Sequence, residues 1–333
     1  MRKNFVMAVL GLAVIVAISY LACRKPTPPP PRTHVVMAQA AKTLLYLPLY
    51  VAQDQGFFDR ENLEVEITTA GGDSQAFAAL ASGQAQFAQG DPAFVAISHE
   101  RGGPGIVVAS VLDRVAFWGV SFDQNVQSFN DPKGFRSLTV VTYPEPNTAY
   151  VVQKSLLLKA GLKLGVDSKI TQAAFGTELG PLQARQAQIA VSIEPVVSQA
   201  VAKGAHVVFS YPDAWGPFLL TGVMTSEDFA GKNPAAVQGF VSSYERALRL
   251  IRERPDIAAA VGRKYFPEVD GAVIDAALAR LTSQKVFPEH AMVDLESWKS
   301  VLQLRVAVGD LKSANHDALV NNTYGSAALS LPK

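Results

Sequence analysis

The stretch Gly71–Pro92 reads GGDSQAFAALASGQAQFAQGDP, and its order decides the fold. A Gly-Gly-Asp turn and a Ser/Gln start lead into an Ala-rich helical run, which breaks at Ser82-Gly83. A short apolar strand follows and ends at Gly90-Asp91-Pro92, where Asp91 can cap a second helix and Pro92 take its first position. Both helix starts leave backbone N–H groups free to face something. Much the same pattern returns at Leu182–Pro195, LQARQAQIAVSIEP: Gln186-Ala187-Gln188-Ile189-Ala190 echoes Gln84-Ala85-Gln86-Phe87-Ala88, and Glu194-Pro195 stands in for Asp91-Pro92. Two such units about a hundred residues apart predict two similar lobes.

Outward from this stretch the pattern is that of α/β units. His34–Ala38 and Leu63–Thr68 read as strands around a helix Leu49–Gln55, which wants a parallel sheet; Ala93–His99 reads as a helix and Ile106–Leu112 as a strand. Val115–Phe122 reads as one long strand, followed by strands at Leu138–Thr142, Ile170–Ala174 and Val207–Phe209 and helices at Asn147–Ala160 and Val196–Lys203. Phe218–Thr225 returns as a strand, so residues 115–220 read as an inserted lobe 2 and residues 34–114 with 221–333 as lobe 1. The two ends of the insert are expected to be paired hinge strands. From Phe229 onward the chain reads as helices separated by Pro255, Pro267 and Pro288. Val237, Val241, Tyr244, Leu248 and Ile251 lie at helical spacing and are expected to pack on lobe 1.

A chain of 333 residues with 49% hydrophobic and 18% charged residues builds about two domains with ample core. Thirty basic against 29 acidic residues leave a net charge of +1, with no field to attract nucleic acid. At the N-terminus, Arg2-Lys3 precede an apolar run from Phe5 to Ala22 and then Cys23, the only cysteine, which excludes an internal disulfide. Residues 1–23 therefore read as an export signal. Cys23 after Leu21-Ala22 resembles a lipoprotein box with lipid attachment at the thiol; a simple cleaved signal and an uncleaved membrane anchor stay open. In each case the globular part is expected outside the cytoplasm. Residues 24–33, with the run PTPPPPR, read as a stiff polyproline II linker.

Four motifs carry a family resemblance. Tyr46–Phe58 with Asn62-Leu63-Glu64-Val65 resembles the opening of nitrate, sulfonate, taurine and thiamine-precursor binding proteins of ABC importers. Gly71-Gly72 with Ala79–Ala88 is similar to the second signature of that family, Ser192-Ile193-Glu194-Pro195 to its third, and residues 298–311 with Asn321-Asn322-Thr323-Tyr324 to its C-terminal helix and tail. The likeness covers residues 34–328 and departs from the usual pattern on scaffold turns: Asn62 for a glycine, Gln86 for an aspartate, and Arg185-Gln186-Ala187-Gln188 for Gly-x-x-Asp. The resemblance implies a two-lobed type II periplasmic-binding-protein fold with a double hinge crossover. It also implies a receptor that acts as a monomer, binds a small organic molecule and presents it to an ABC permease in the inner membrane. Two rivals stay open: a ligand-sensing receptor for a signalling partner, and an enzyme like the thiamine-pyrimidine synthases, whose cysteine-rich type one N-terminal cysteine cannot supply.

In open α/β sheets ligands gather beyond the C-terminal ends of strands, here at Lys42–Leu47, Gly71–Gln75, Gln89–Pro92 and Thr142–Thr148. Tyr46, Trp118, Tyr143 and Trp215 are candidates to contact a ligand through their rings, and Ser74, Gln75, Asn147 and Thr148 to hydrogen-bond it. Each has a plainer reading as cap or core. Asp73, Asp91 and Glu194 favour a cationic or amine-bearing ligand if they face the cleft, but the last two, each before a proline, read equally as helix caps. Lys42 and Arg114 are the partners available to an anion. Aromatic and acidic residues outnumber basic ones in these segments, which favours a small nitrogenous or aromatic molecule over an oxyanion. His34, His99, His206, His290 and His316 are scattered, and no nucleophile elbow, Walker loop or dinucleotide fingerprint occurs, so no metal, cofactor or catalytic group is expected.

Overall fold

Two mixed sheets organise the protein, each with a parallel part built on the strand, helix, strand order read above. The structure is a computed structural model that describes residues 32–331. The export signal, Cys23 and nearly all of the proline-rich linker lie outside the described residues. The first sheet contains β1 (Thr33–Gln39), β2 (Leu63–Thr69), β3 (Phe87–Gly90), β4 (Ile106–Arg114) and β10 (Pro217–Thr225), in the order β2-β1-β3-β10-β4. The second contains β5 (Trp118–Ser121), β6 (Thr139–Thr142), β7 (Lys169–Gln172), β8 (Ile189–Ser192) and β9 (His206–Ser210), in the order β7-β6-β8-β5-β9.

The two orders are the same arrangement written twice. In the first sheet β1 pairs in parallel with β2 and β3, and β10 runs antiparallel between β3 and β4. In the second β6 pairs in parallel with β7 and β8, and β5 runs antiparallel between β8 and β9. The chain leaves the first sheet between Arg114 and Trp118 and returns between Ser210 and Pro217, where Arg114 and Pro217 are register partners. The single long strand expected over Val115–Phe122 is therefore two: β4 runs on to Arg114, and Val115–Phe117 carries the chain across. A tight turn, in which the Phe117 N–H donates to the Val115 carbonyl at 2.8 Å, ends the ladder there. The apolar run hides this break because Val115, Ala116 and Phe117 are all buried, as strand residues would be.

The repeated motif has a repeated job. Gln86 Oε1 accepts the Val36 N–H of β1 at 2.8 Å, and Gln188 Oε1 accepts the Thr139 N–H of β6 at the same distance, so each glutamine satisfies the strand of its own sheet that is paired in parallel on both sides. The turn ahead of each is left-handed, with Gly83 at φ +78° and Arg185 at φ +56°. Asn62 likewise stands at φ +58°, a conformation asparagine tolerates better than most residues, which accounts for a non-glycine there.

Helices α1 (Leu47–Asp54), α2 (Asp73–Ala81), α3 (Ala93–His99), α4 (Thr148–Lys159) and α5 (Val196–Ala202) follow the sheet strands. The C-terminal series is α6 (Pro234–Glu253), α7 (Pro255–Tyr265), α8 (Gly271–Ser283) and α9 (Leu295–Ala307). Val237, Val241, Tyr244, Leu248 and Ile251 of α6 are buried, and the Tyr244 hydroxyl donates to Gln89 of β3, so this face packs on the first sheet as its spacing predicts. Helices α8 and α9 touch both halves: α8 packs on α5, and α9 on both β10 and α4.

Candidate functional site

The C-terminal ends of β1, β2, β6, β7 and β8 all open onto one cleft, as expected for parallel strands. Three connected recesses make up its interior, all touching Phe175. A recess of about 270 Å³ is bounded by Ala40–Thr43 after β1, Tyr143 after β6, Phe175–Glu178 after β7 and Ile193–Val196 after β8. One of about 170 Å³ lies between the start of α2 and the loop Pro144–Asn147, and a narrow one of about 40 Å³ reaches Tyr46, Asp73 and Thr148. Wider surface recesses of about 530 and 870 Å³ exist at Gln183–Gln188 and at Asn321–Ser326, but each lies on one half of the molecule.

The walls of this cleft are joined directly. Asn147 caps α4 by accepting the Ala149 N–H at 2.9 Å, and its amide donates across the cleft to Asp73 Oδ2 at 2.9 Å. The other Asp73 oxygen accepts the Asp91 N–H at 3.0 Å. Burial, and after it the charge of Asp91, pushes the Asp73 carboxyl up to about 6. The Thr148 hydroxyl donates to Asp91, and Thr43 Oγ1 donates to the Glu194 carbonyl at 2.7 Å.

The two residues that precede prolines share a design. Asp91 Oδ1 accepts the Ala93 N–H at 2.8 Å, and its other oxygen meets the fully buried Arg305 of α9 at 2.5 Å. Arg305 also donates to the Pro146 carbonyl at 3.1 Å and to Asp310 at 2.8 Å. Burial works against its charge, but the carboxylates of Asp91 and Asp310 more than offset that and hold it above the usual arginine range. Glu194 accepts the Ser198 N–H at 3.0 Å and Arg280 Nε of α8 at 2.8 Å, while burial pushes its carboxyl up. Both acids are thus capped and ion-paired.

Of the residues singled out from the sequence, Lys42, Tyr46, Asp73, Ser74, Gln75, Tyr143, Asn147, Thr148 and Glu194 line the three recesses. Asp91 does not; it lies behind Thr148, fixed by Arg305. Trp118 is fully buried in β5, where its indole N–H donates to Gln284 at 2.6 Å. Trp215 lies under the Lys159 ammonium, 4.4 Å from the ring centroid, and against the edge of Phe218. Arg114 ends β4 at the crossover. Sequence reasoning missed Phe175 and Glu178, which follow β7. Phe175 stacks on Tyr143 at 4.0 Å between centroids, and Glu178 is a fully buried carboxylate on the wall of the 270 Å³ recess. Their one sequence signal was position, the counterpart in the second sheet of Gly71–Gln75 in the first.

The NMT1/THI5-like family model matches residues 45–258, from the start of α1 into α7. The chain belongs to that family. It is 22% identical to the Bacillus subtilis (strain 168) protein YtlA, which is named as a binding protein, over 295 residues covering 87% of this chain and 88% of that one. Among solved structures it is similar to the ligand-binding component of an ABC-type import system from Staphylococcus aureus, with a TM-score of 0.73 at 12% identity over 89% of this chain and 99% of that one. It is also similar to the alkanesulfonate-binding protein SsuA of Xanthomonas axonopodis, with a TM-score of 0.68 at 15% identity over 89% and 99%. The fold is therefore that of the periplasmic binding proteins, with two sheets and flanking helices. It also occurs in the desulfurization enzyme DSZB, with a TM-score of 0.64 at 11% identity.

Among the described residues no group of three histidine, cysteine, aspartate or glutamate side chains converges to hold a metal ion, and no helix is long and apolar enough to cross a membrane.

Proposed function

We propose that this chain is an extracytoplasmic solute receptor that delivers a small organic molecule to an ABC importer, held at the membrane through Cys23 or its signal segment. The observation that carries the reading is the cleft itself. Its walls come from the strand ends of both sheets, and Asn147 to Asp73 and Thr43 to Glu194 already bond across it. A ligand that touches both walls favours the closed arrangement over an open one by its differential affinity. Residues 34–114 with 221–333 would move against 115–220 about the crossing segments. Family membership and the names of YtlA and of the Staphylococcus import component support the same role.

Native mass spectrometry of the purified chain, followed by thermal unfolding and small-angle scattering with the released compound, tests this. The expected result is a non-covalent ligand that raises the melting temperature and reduces the radius of gyration. A chain that carries no ligand and is stabilised by none of a broad metabolite set contradicts the proposal. One observation favours a second reading, an enzyme: the same fold serves DSZB. Turnover of the bound compound would decide for it.

A further inference from the structure

Glu178 is fully buried, yet only half of its carboxylate is used. Its Oε1 accepts the Tyr143 hydroxyl at 2.9 Å and the Ser192 hydroxyl at 2.6 Å, while Oε2 is buried without any hydrogen-bond partner. A carboxylate oxygen buried and unpaired is unfavourable, so native proteins supply a donor or leave the place for one. Among the described residues no arginine, lysine or histidine is within ion-pair distance of Glu178. Of the other charges of the recess, Glu194 is held by Arg280 at 2.8 Å, while Lys42 stands at the exposed rim, 3.9 Å from an equally exposed Glu268 and with its ammonium 5.1 Å from the Phe266 centroid. The remaining wall is largely apolar, with Ala40, Phe175, Ile193 and Val196, and Phe175 is braced by its stack on Tyr143.

Resting on the receptor reading of this cleft, we infer that Glu178 is the specificity-determining group and that the ligand is a small organic molecule with a flat or apolar body and a protonated nitrogen. The body lies against Phe175 and the nitrogen donates to Oε2. Tyr143 and Ser192, both donors to Oε1, hold the carboxylate in place and leave Oε2 for recognition. Donor pairing to a buried carboxylate makes a charge-assisted hydrogen bond in a dry site, and an anion of the same size meets an uncompensated like charge there.

The test uses the purified full chain and four probes: benzamidinium, phenethylammonium, its uncharged counterpart 2-phenylethanol, and benzenesulfonate. Calorimetric titration is expected to show that the two cations bind more tightly than 2-phenylethanol and that benzenesulfonate does not bind. Glu178→Gln, which keeps an oxygen for Tyr143 and Ser192, is expected to weaken both cations at least tenfold and to leave 2-phenylethanol unchanged; the latter result also shows that the variant is folded. Equal cation binding by wild type and Glu178→Gln, no cation binding by wild type, or preference for benzenesulfonate overturns the inference. In each of those cases the receptor reading is judged separately by the ligand recovered in native mass spectrometry. A recovered sulfonate or carboxylate without basic nitrogen would leave the receptor standing and remove the role given to Glu178.

Discussion

Arg305 offers the sharpest energetic test. Its guanidinium is fully buried and joins four groups: the Asp91 carboxylate at 2.5 Å, Asp310 at 2.8 Å, and, from the opposite wall of the cleft, the Pro146 carbonyl at 3.1 Å and the Thr148 hydroxyl at 3.3 Å. Asp310 is 31% exposed at its side chain and can recover water, but Asp91 cannot, being 1% exposed. Arg305→Met keeps much of the aliphatic bulk and leaves the Asp91 carboxylate buried without its cation, a change that typically costs about 3–5 kcal/mol. Asp91→Asn added to Arg305→Met removes the stranded charge while preserving an oxygen for the Ala93 N–H, so the double variant should regain at least half of the loss. Urea unfolding at pH 7, followed by far-ultraviolet circular dichroism, measures both, and an unchanged slope with a lower midpoint reads as stability alone. A loss below about 1 kcal/mol for Arg305→Met, or a double variant as unstable as the sum of the singles, would refute the claim that Asp91 and Arg305 form one buried unit.

Two further outcomes follow from the cleft wall. Asp73 has its carboxyl raised to about 6 by burial and by Asp91, above the ordinary value of 3.8, so the folded state holds that proton more tightly than the unfolded one. Its ionisation therefore weakens the fold as pH rises from about 4 to about 6, by less than the ~3 kcal/mol to which the whole shift corresponds, since Asp73 keeps some contact with solvent. Subtracting the urea midpoints of Asp73→Asn from those of wild type across pH 4–7 should show this slope; a flat difference would contradict it. Gly90→Ala places a Cβ 2.7 Å from Asp73 Oδ1 and 3.4 Å from the Ala40 Cβ, displacing the carboxylate from the Asp91 N–H. We expect a loss of about 1–3 kcal/mol, seen as a lower melting temperature, and a wild-type melting temperature would show that the wall yields.

Much of the architecture was legible because local chemistry and tertiary structure agree. The repeated Gln-Ala-Gln motif predicted two similar units, and Gln86 and Gln188 do the same work in the two sheets. Val115–Phe122 misled because burial looks alike in a strand and in a crossing segment, and only the turn at Phe117 separates them. The site was half visible. Segments that follow strands, such as Asp73 and Asn147, can be placed from element order alone. Arg280 and Arg305 could not be linked to Glu194 and Asp91, because these pairs lie 86 and 214 positions apart and neither arginine belongs to a recognisable local motif. Trp118 and Trp215 were drawn toward the cleft by residue type, whereas one fills the core behind it and the other sits against Lys159 and Phe218.

The strand order also sets a schedule for assembly. All five strands of the second sheet are consecutive in the chain, so residues 118–210 hold everything that sheet needs once they have emerged. The first sheet is different: β3 and β4 each pair with β10, which is made about a hundred residues after β4. Until that late strand slots between them, an emerging chain carries two unzipped margins, and its earliest-made part is among the last to be completed.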